Sequence, residues 1–263
     1  MYEFNYHKPG SLDDAAKLLG GEDAKLVAGG MTLIPTLKQR LAKPSDLVDL
    51  AAIASLKGIS ESGDTLTIGA MTRHADVNRS DIVRRAIAAL ASLAGMIGDP
   101  AVRNRGTIGG SISNNDPAAD YPAGLVGLGA TVVTTKREIA ADDFFTGMFE
   151  TALAQDEIVT AVRFPKPQAA AYQKFKNPAS RYAIVGVFVA RTGGGVRVAV
   201  TGAGPCVFRV PEMEAALARS FSADAIKDIA IPADGLNSDI HASAEYRAHL
   251  VNVMARRAVA ACA

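Results

Sequence analysis

Two pairs of adjacent glycines, each between an apolar run and small polar residues, are the positions in this chain best suited to holding a ligand. One lies in "LVAGGMTLIP", residues 26–35, and the other in "TIGGSISNNDPAAD", residues 107–120. Without a Cβ, glycine lets a ligand oxygen come close to the backbone amides, and amides at a helix start carry partial positive charge. A strand that turns at Gly29-Gly30 and enters a helix near Thr32 suits phosphate without needing a lysine. The second pair adds hydroxyl and amide groups from Ser111, Ser113, Asn114 and Asn115, with Asp116 and Asp120 beyond. A ligand carrying both a pyrophosphate and a polyol chain would use both sets. As plain structure, the first stretch is a tight strand-to-helix turn with Thr32 as cap. The second is an Asx-rich turn begun by Asp116-Pro117. A plain turn does not explain why the polar residues follow "TIGGSI", which reads as a half-buried, β-like run.

Other chemistries are poorly provided for. "GLGATV", residues 127–132, has Val132 where a dinucleotide fingerprint needs its third glycine, and strand pattern follows it. There is no Walker lysine motif, no C-x-x-C and no G-x-S-x-G elbow. His7, His74, His241 and His249 lack metal-ligand spacing. Cys206 and Cys262 are too few for an iron–sulfur cluster or a disulfide framework, which favours a reducing, cytoplasmic compartment. The 28 basic and 27 acidic residues nearly balance and tryptophan is absent, which argues against nucleic acid. "MYEFNYHKPG" lacks the form of a signal peptide, and "AIVGVFVA" is too short to cross a bilayer. No acid–base pair for a substrate stands out.

The elements that must position these loops read as α/β at the start. "YEFNY", "AKLVAGG" and "DLVDL" are strands. Between them lie the helices "SLDDAAKLLG", capped by Ser11, and "TLIPTLKQRLA". "LKGISESGDTLTIGA" is a hairpin turning at residues 62–64. Residues 74–98 are helical, with Ser80 capping a second segment. The stretch 107–139 reads as strand, Gly/Asn-rich turn, a short Ala/Leu/Gly-rich segment and strand, and "DEIVTAVRFP" is a strand. "PKPQ", residues 165–168, is a linker because its prolines favour extended chain. Three strands follow, "AAYQKFKN", "AIVGVFVAR" and "GVRVAVTGA". The helical stretches "EMEAALARS", "SADAIKDIA" and a long terminal segment complete the chain. Two domains result, 1–167 and 168–263.

In order and spacing, "AGGMTLIPTLKQRL", "VRNRGTIGGSISNNDPAADYPA" and "DEIVTAVRFP" resemble the FAD-binding medium subunit of the aerobic carbon monoxide dehydrogenase and xanthine dehydrogenase family of molybdenum hydroxylases. The tail from about residue 170 resembles that subunit's C-terminal domain. The resemblance implies an α+β chain: a vanillyl-alcohol-oxidase-type FAD-binding domain of two α/β subdomains, then a small antiparallel three-stranded sheet with a helical bundle. It implies that Ala28, Gly29, Gly30, Met31, Thr32 and Leu33 wrap the FAD pyrophosphate. Thr107, Gly109, Gly110 and Ser111 would form the opposing wall, with Asn114 close by. Asp120 matches the family's acidic FAD contact better than Asp116 does. Ile97, Gly98, and Ile158 or Val159 fall at apolar contacts. Lys176 matches a lysine near the isoalloxazine ring, and Tyr182 would cover one ring face. The chain departs from the commonest pattern at Met31, where His, Gln or Thr is frequent, and at Ser111, where Asn is usual. Neither glycine motif contains His or Cys, so the flavin is expected to be non-covalent.

By the same resemblance the chain serves as a relay. A large molybdenum-containing subunit would oxidise substrate, a small iron–sulfur subunit with [2Fe-2S] clusters would pass on the electrons, and this FAD would reduce an external acceptor. The assembly would be a dimer of heterotrimers. Two other readings remain: a self-sufficient flavoenzyme of the same fold, which needs its own proton donor, and a partner or assembly protein that has lost FAD, which degraded glycine motifs would mark.

Overall fold

The opening β-α-β-α-β pattern forms a parallel sheet in a computed structural model that describes residues 1–21 and 23–262. Strand Asp46–Asp49 lies between Asn5–His7 and Ala24–Val27, with helices Leu12–Leu19 and Leu33–Lys38 as crossovers. Ser11 caps the first helix, its hydroxyl accepting from the Asp14 amide at 3.2 Å.

The next layer is an antiparallel five-stranded sheet in the order Ile59–Ser62, Thr65–Gly69, Val159–Pro165, Thr131–Thr134, Glu138–Ala140. Its first hairpin turns at Gly63, whose φ of 55° is in the left-handed region that glycine tolerates. Val162 and Phe164 of the central strand join the main core, which helices Ala88–Gly95, Ile108–Asn114 and Tyr121–Leu128 cover. The helical stretch from His74 is broken into His74–Arg79, Asp81–Ala86 and Ala88–Gly95. Ser80 caps the second of these, accepting from Val83 N.

"TIGGSISN" is not a strand. It folds as helix Ile108–Asn114 with Thr107 as N-cap, and only a bridge between Arg73 and Thr107 is strand-like. The apolar residues explain the difference. Ile108 and Ile112 are four apart, share one helix face and are both buried. Gly109 lets this helix sit against the sheet end, since a Cβ there would lie 2.6 Å from Ala70 Cβ. Asn115, at φ 41°, closes the helix, and its side-chain Nδ2 donates to Gly147 O and Glu150 O, fastening the hairpin beyond.

The last sheet has four antiparallel strands rather than three: Ala169–Lys176, Ala183–Thr192, Gly195–Thr201 and Phe208–Arg209. The fourth has only two residues, too few to show alternation in sequence. Side chains alternate between two cores. Tyr172, Phe188, Ala190 and Ala199 face the N-terminal layers. Val185, Val187, Val189, Val198 and Val200 face helices Pro211–Arg219 and Ala244–Ala261. "SADAIKDIA" reduces to a 3-10 turn at Ala223–Ile226. The glycines of "GLGATV" are structural. A Cβ at Gly127 would lie 2.7 Å from Phe188, and Gly129 ends its helix at φ 64°. The terminal helix packs on its own sheet, with Arg247 buried and donating to Ile184 O and Gly202 O. Among the described residues, no helix is long and apolar enough to cross a membrane.

Candidate cofactor-binding site

Both glycine loops border one cleft of about 920 Å³, within the usual size of small-molecule sites. Ala28, Gly29, Gly30, Met31, Thr32 and Leu33 line one side. Thr107, Gly109, Gly110, Ser111 and Asn114 line the other. The loops touch at Gly29, where a Cβ would lie 2.3 Å from Arg105 O and 2.7 Å from Gly106 Cα. Gly30 has φ 70°, so the turn itself calls for glycine.

The two loops offer different chemistry. From Gly29 to Leu33, the backbone amides have no hydrogen-bond partner among the described residues. Thr32 occupies the N-cap position, but its hydroxyl makes no capping bond. The opposing amides are already engaged. Ile108 N donates to Thr72 O, Gly109 N to Ala70 O, Gly110 N to Thr107 Oγ1 and Ser111 N to Thr107 O. Free donors for an anion therefore come from the first loop, while the second supplies a wall and the Ser111 hydroxyl.

Away from the loops the cleft becomes apolar. Ile97, Gly98, Ile158 and Val159 line it, and Tyr182 stands half-exposed at its edge. Arg103 Nη1 holds the first two from behind, donating to Ile97 O and Gly98 O at 3.0 Å each. Glu157, next to the other pair in sequence, lines the cleft as well. Burial pushes its carboxyl up, but hydrogen bonds from Arg137, the Ala154 amide and Thr134 bring it down to about 2.

Lys176 is exposed at the end of its strand and does not line the cleft. Pairing slips between Phe175 and Lys176, so simple alternation no longer carries Lys176 onto the face of Tyr172 and Lys174. Sequence reasoning missed Lys174. Its Nζ lies 2.8 Å from Asp120 Oδ2, behind the cleft wall that Asp120 forms. Two lysines one alternate position apart were visible, but their distance from Asp120 in sequence hid the pairing.

His74 also borders the cleft and is buried, with Nδ1 unpartnered among the described residues. Burial brings its imidazole down to about 4, and the Arg103 charge acts in the same direction. The ring is neutral in the folded chain and titrates near 6.5 when unfolded. Between those values the unfolded state binds the extra proton, so stability is full above the higher value and is lost as the pH falls toward the lower. That loss is up to about 3 kcal/mol. His74→Leu is therefore expected to flatten urea-unfolding stability between about pH 7 and about pH 5; an unchanged slope would assign the acid sensitivity elsewhere.

Residues 2–167 match the profile of the FAD binding domain in molybdopterin dehydrogenase, and residues 170–262 that of the CO dehydrogenase flavoprotein C-terminal domain. The chain belongs to the FAD-binding medium-subunit family of the molybdenum hydroxylases. One family relative is the carbon monoxide dehydrogenase medium chain of Hydrogenophaga pseudoflava, 36% identical over 97% of this chain and 96% of its own length. Another is the nicotine 6-hydroxylase medium subunit of Paenarthrobacter nicotinovorans, 37% identical over 97% and 95%. Among solved structures, carbon monoxide dehydrogenase from Hydrogenophaga pseudoflava lacking the Mo-pyranopterin moiety of its cofactor superposes with a TM-score of 0.90. That match is at 37% identity over 99% of this chain and 97% of the other. Quinoline 2-oxidoreductase from Pseudomonas putida 86 gives 0.89 at 29% identity over 99% and 97%. The medium-subunit family forms part of oxidoreductase complexes, and the α+β fold with its FAD-binding domain is that of the family.

Proposed function

We propose that this chain binds FAD non-covalently between its two glycine loops, takes electrons from a small iron–sulfur subunit and passes them to an external acceptor. The unpartnered amides from Gly29 to Leu33, facing a cleft of dinucleotide size, carry the reading. They and Thr32 would bind the pyrophosphate, with Gly110 and Ser111 closing over it. Asp120 and Asn114 would take hydroxyls of the polyol chain. Ile97, Gly98, Ile158 and Val159 would seat the ring in an apolar slot, and Tyr182 would cover it. When bound, the flavin supplies a centre that accepts electrons singly and delivers them in pairs. Residues 1–167 form the flavin-holding domain in this reading, and residues 168–263 the domain that backs Asp120 and brings Tyr182 to the cleft.

The partners in this reading are the iron–sulfur subunit and a large molybdenum-containing subunit, in a dimer of heterotrimers in the cytoplasm. Among the described residues, no group of three His, Cys, Asp or Glu is placed to hold a metal. Relatives named for carbon monoxide and for nicotine are almost equally similar to this chain, which supports a substrate chosen outside it.

The test is the visible absorption of the desalted protein, purified alone and with its partner subunits. Flavin bands should be retained, and reduced iron–sulfur subunit should bleach them before any acceptor is added. A folded chain that takes up no FAD in either state would overturn the reading.

A further inference from the structure

The Lys174 ammonium lies where a lone charge would be costly. Its side chain is 2% exposed, and Nζ lies 2.8 Å from Asp120 Oδ2 and 3.2 Å from Met96 O. The other oxygen of Asp120 accepts from the Tyr172 hydroxyl. Gly186 makes room for that hydroxyl, since a Cβ there would lie 2.2 Å from it. Tyr172 and Lys174 are two apart on strand Ala169–Lys176, so both side chains leave the same face and meet one carboxylate. Asp120 lines the cleft, whereas Tyr172 and Lys174 stand behind it.

Each Asp120 oxygen is thus gripped by one donor from outside the cleft lining, and each can accept a further bond. An ionised carboxylate can only accept, so its partner in the cleft must be a hydroxyl or an N–H. The same ammonium holds the Met96 carbonyl, next to Ile97 and Gly98 of the apolar wall. One side chain therefore ties together two parts of the cleft far apart in sequence.

We propose that Lys174 is a positioning residue that keeps Asp120 a charged acceptor aimed at a hydroxyl of the bound flavin's polyol chain, and that it fixes the Met96–Gly98 wall beside it. This rests on the FAD reading above. The other titratable groups facing Asp120 are Tyr172 and Tyr182 from the neighbouring hairpin and Tyr121 from its own segment. Burial raises all three phenols, so they stay neutral across the range tested. Burial also pushes the Asp120 carboxyl up, while Lys174 and then Tyr172 pull against it.

FAD affinity of the apoprotein, followed by flavin fluorescence from about pH 5 to about pH 9, separates this role from a merely structural one. The parent should bind with little pH dependence. Lys174→Met should bind at least about tenfold more weakly in acid and recover as the pH rises, because its buried carboxyl has lost the cation that opposed protonation. Lys174→Met with Asp120→Asn should be weak at every pH. A Lys174→Met protein with the parent's affinity and pH profile would overturn the proposal. If that variant fails to fold, the double variant decides: pH-independent weakness upholds the proposal, and parental affinity overturns it. A parent chain that takes up no FAD would instead overturn the flavin reading itself, and this proposal with it.

Discussion

Replacing Gly110 by valine is expected to leave a folded protein that no longer retains FAD. A Cβ at Gly110 would stand 3.0 Å from Thr107 Oγ1 and 3.5 Å from Ala28 Cβ, in the gap between the two loops. Neither neighbour is backbone, so the cost to the fold is a few tenths of an ångström of movement and some weakening of the Thr107 cap. The cap is worth about 1 kcal/mol. Valine is also a slightly better helix former than glycine, which offsets part of that cost. The branched side chain then fills space proposed for the pyrophosphate. Affinity for FAD should fall by at least about 100-fold, or about 2.7 kcal/mol. Thermal melting would show the fold and fluorescence titration the loss; tight FAD binding by the folded variant would move the phosphates away from this gap.

Gly29→Ala should have the opposite signature, with the fold itself giving way. The added methyl would meet Arg105 O at 2.3 Å and Arg105 C at 2.8 Å, both backbone atoms of the facing loop. Relief requires the loops to part, and with them the layers that carry them. Overpacking of this kind costs about 3 kcal/mol. In a chain of this size the melting temperature should fall by roughly 10 °C. FAD loss should accompany that fall rather than precede it. A variant that melts with the parent would show that the loops do not need this contact. The two double-glycine motifs thus contain residues with separate duties: Gly29 and Gly109 permit backbone layers to approach, Gly30 permits a turn, and Gly110 is the one proposed to leave space for the pyrophosphate.

Much of this architecture is written in local pattern. The β-α-β-α-β start, the Ser11 and Ser80 caps and the hairpin at Gly63 follow from periodicity and turn chemistry within a dozen residues. The glycine motifs and the polar residues beside them were equally legible, and the residues named from sequence for the site line the same cleft, apart from Lys176 and from Asn115, whose side chain is buried against Gly147 O and Glu150 O. Where short-range pattern was ambiguous, long-range packing decided. "TIGGSI" is too short for alternation and helical spacing to be told apart, and the burial of Ile108 with Ile112 against the sheet selects the helix. Which glycines are needed for packing depends on atoms of other segments, such as Arg105 O and Ala70 Cβ. The Lys174–Asp120 pair joins residues 54 apart, and a slip in strand pairing separates Lys174 from Lys176. Neighbours along the chain encode element type and turn, but a buried charge finds its counter-charge only when two layers close on each other.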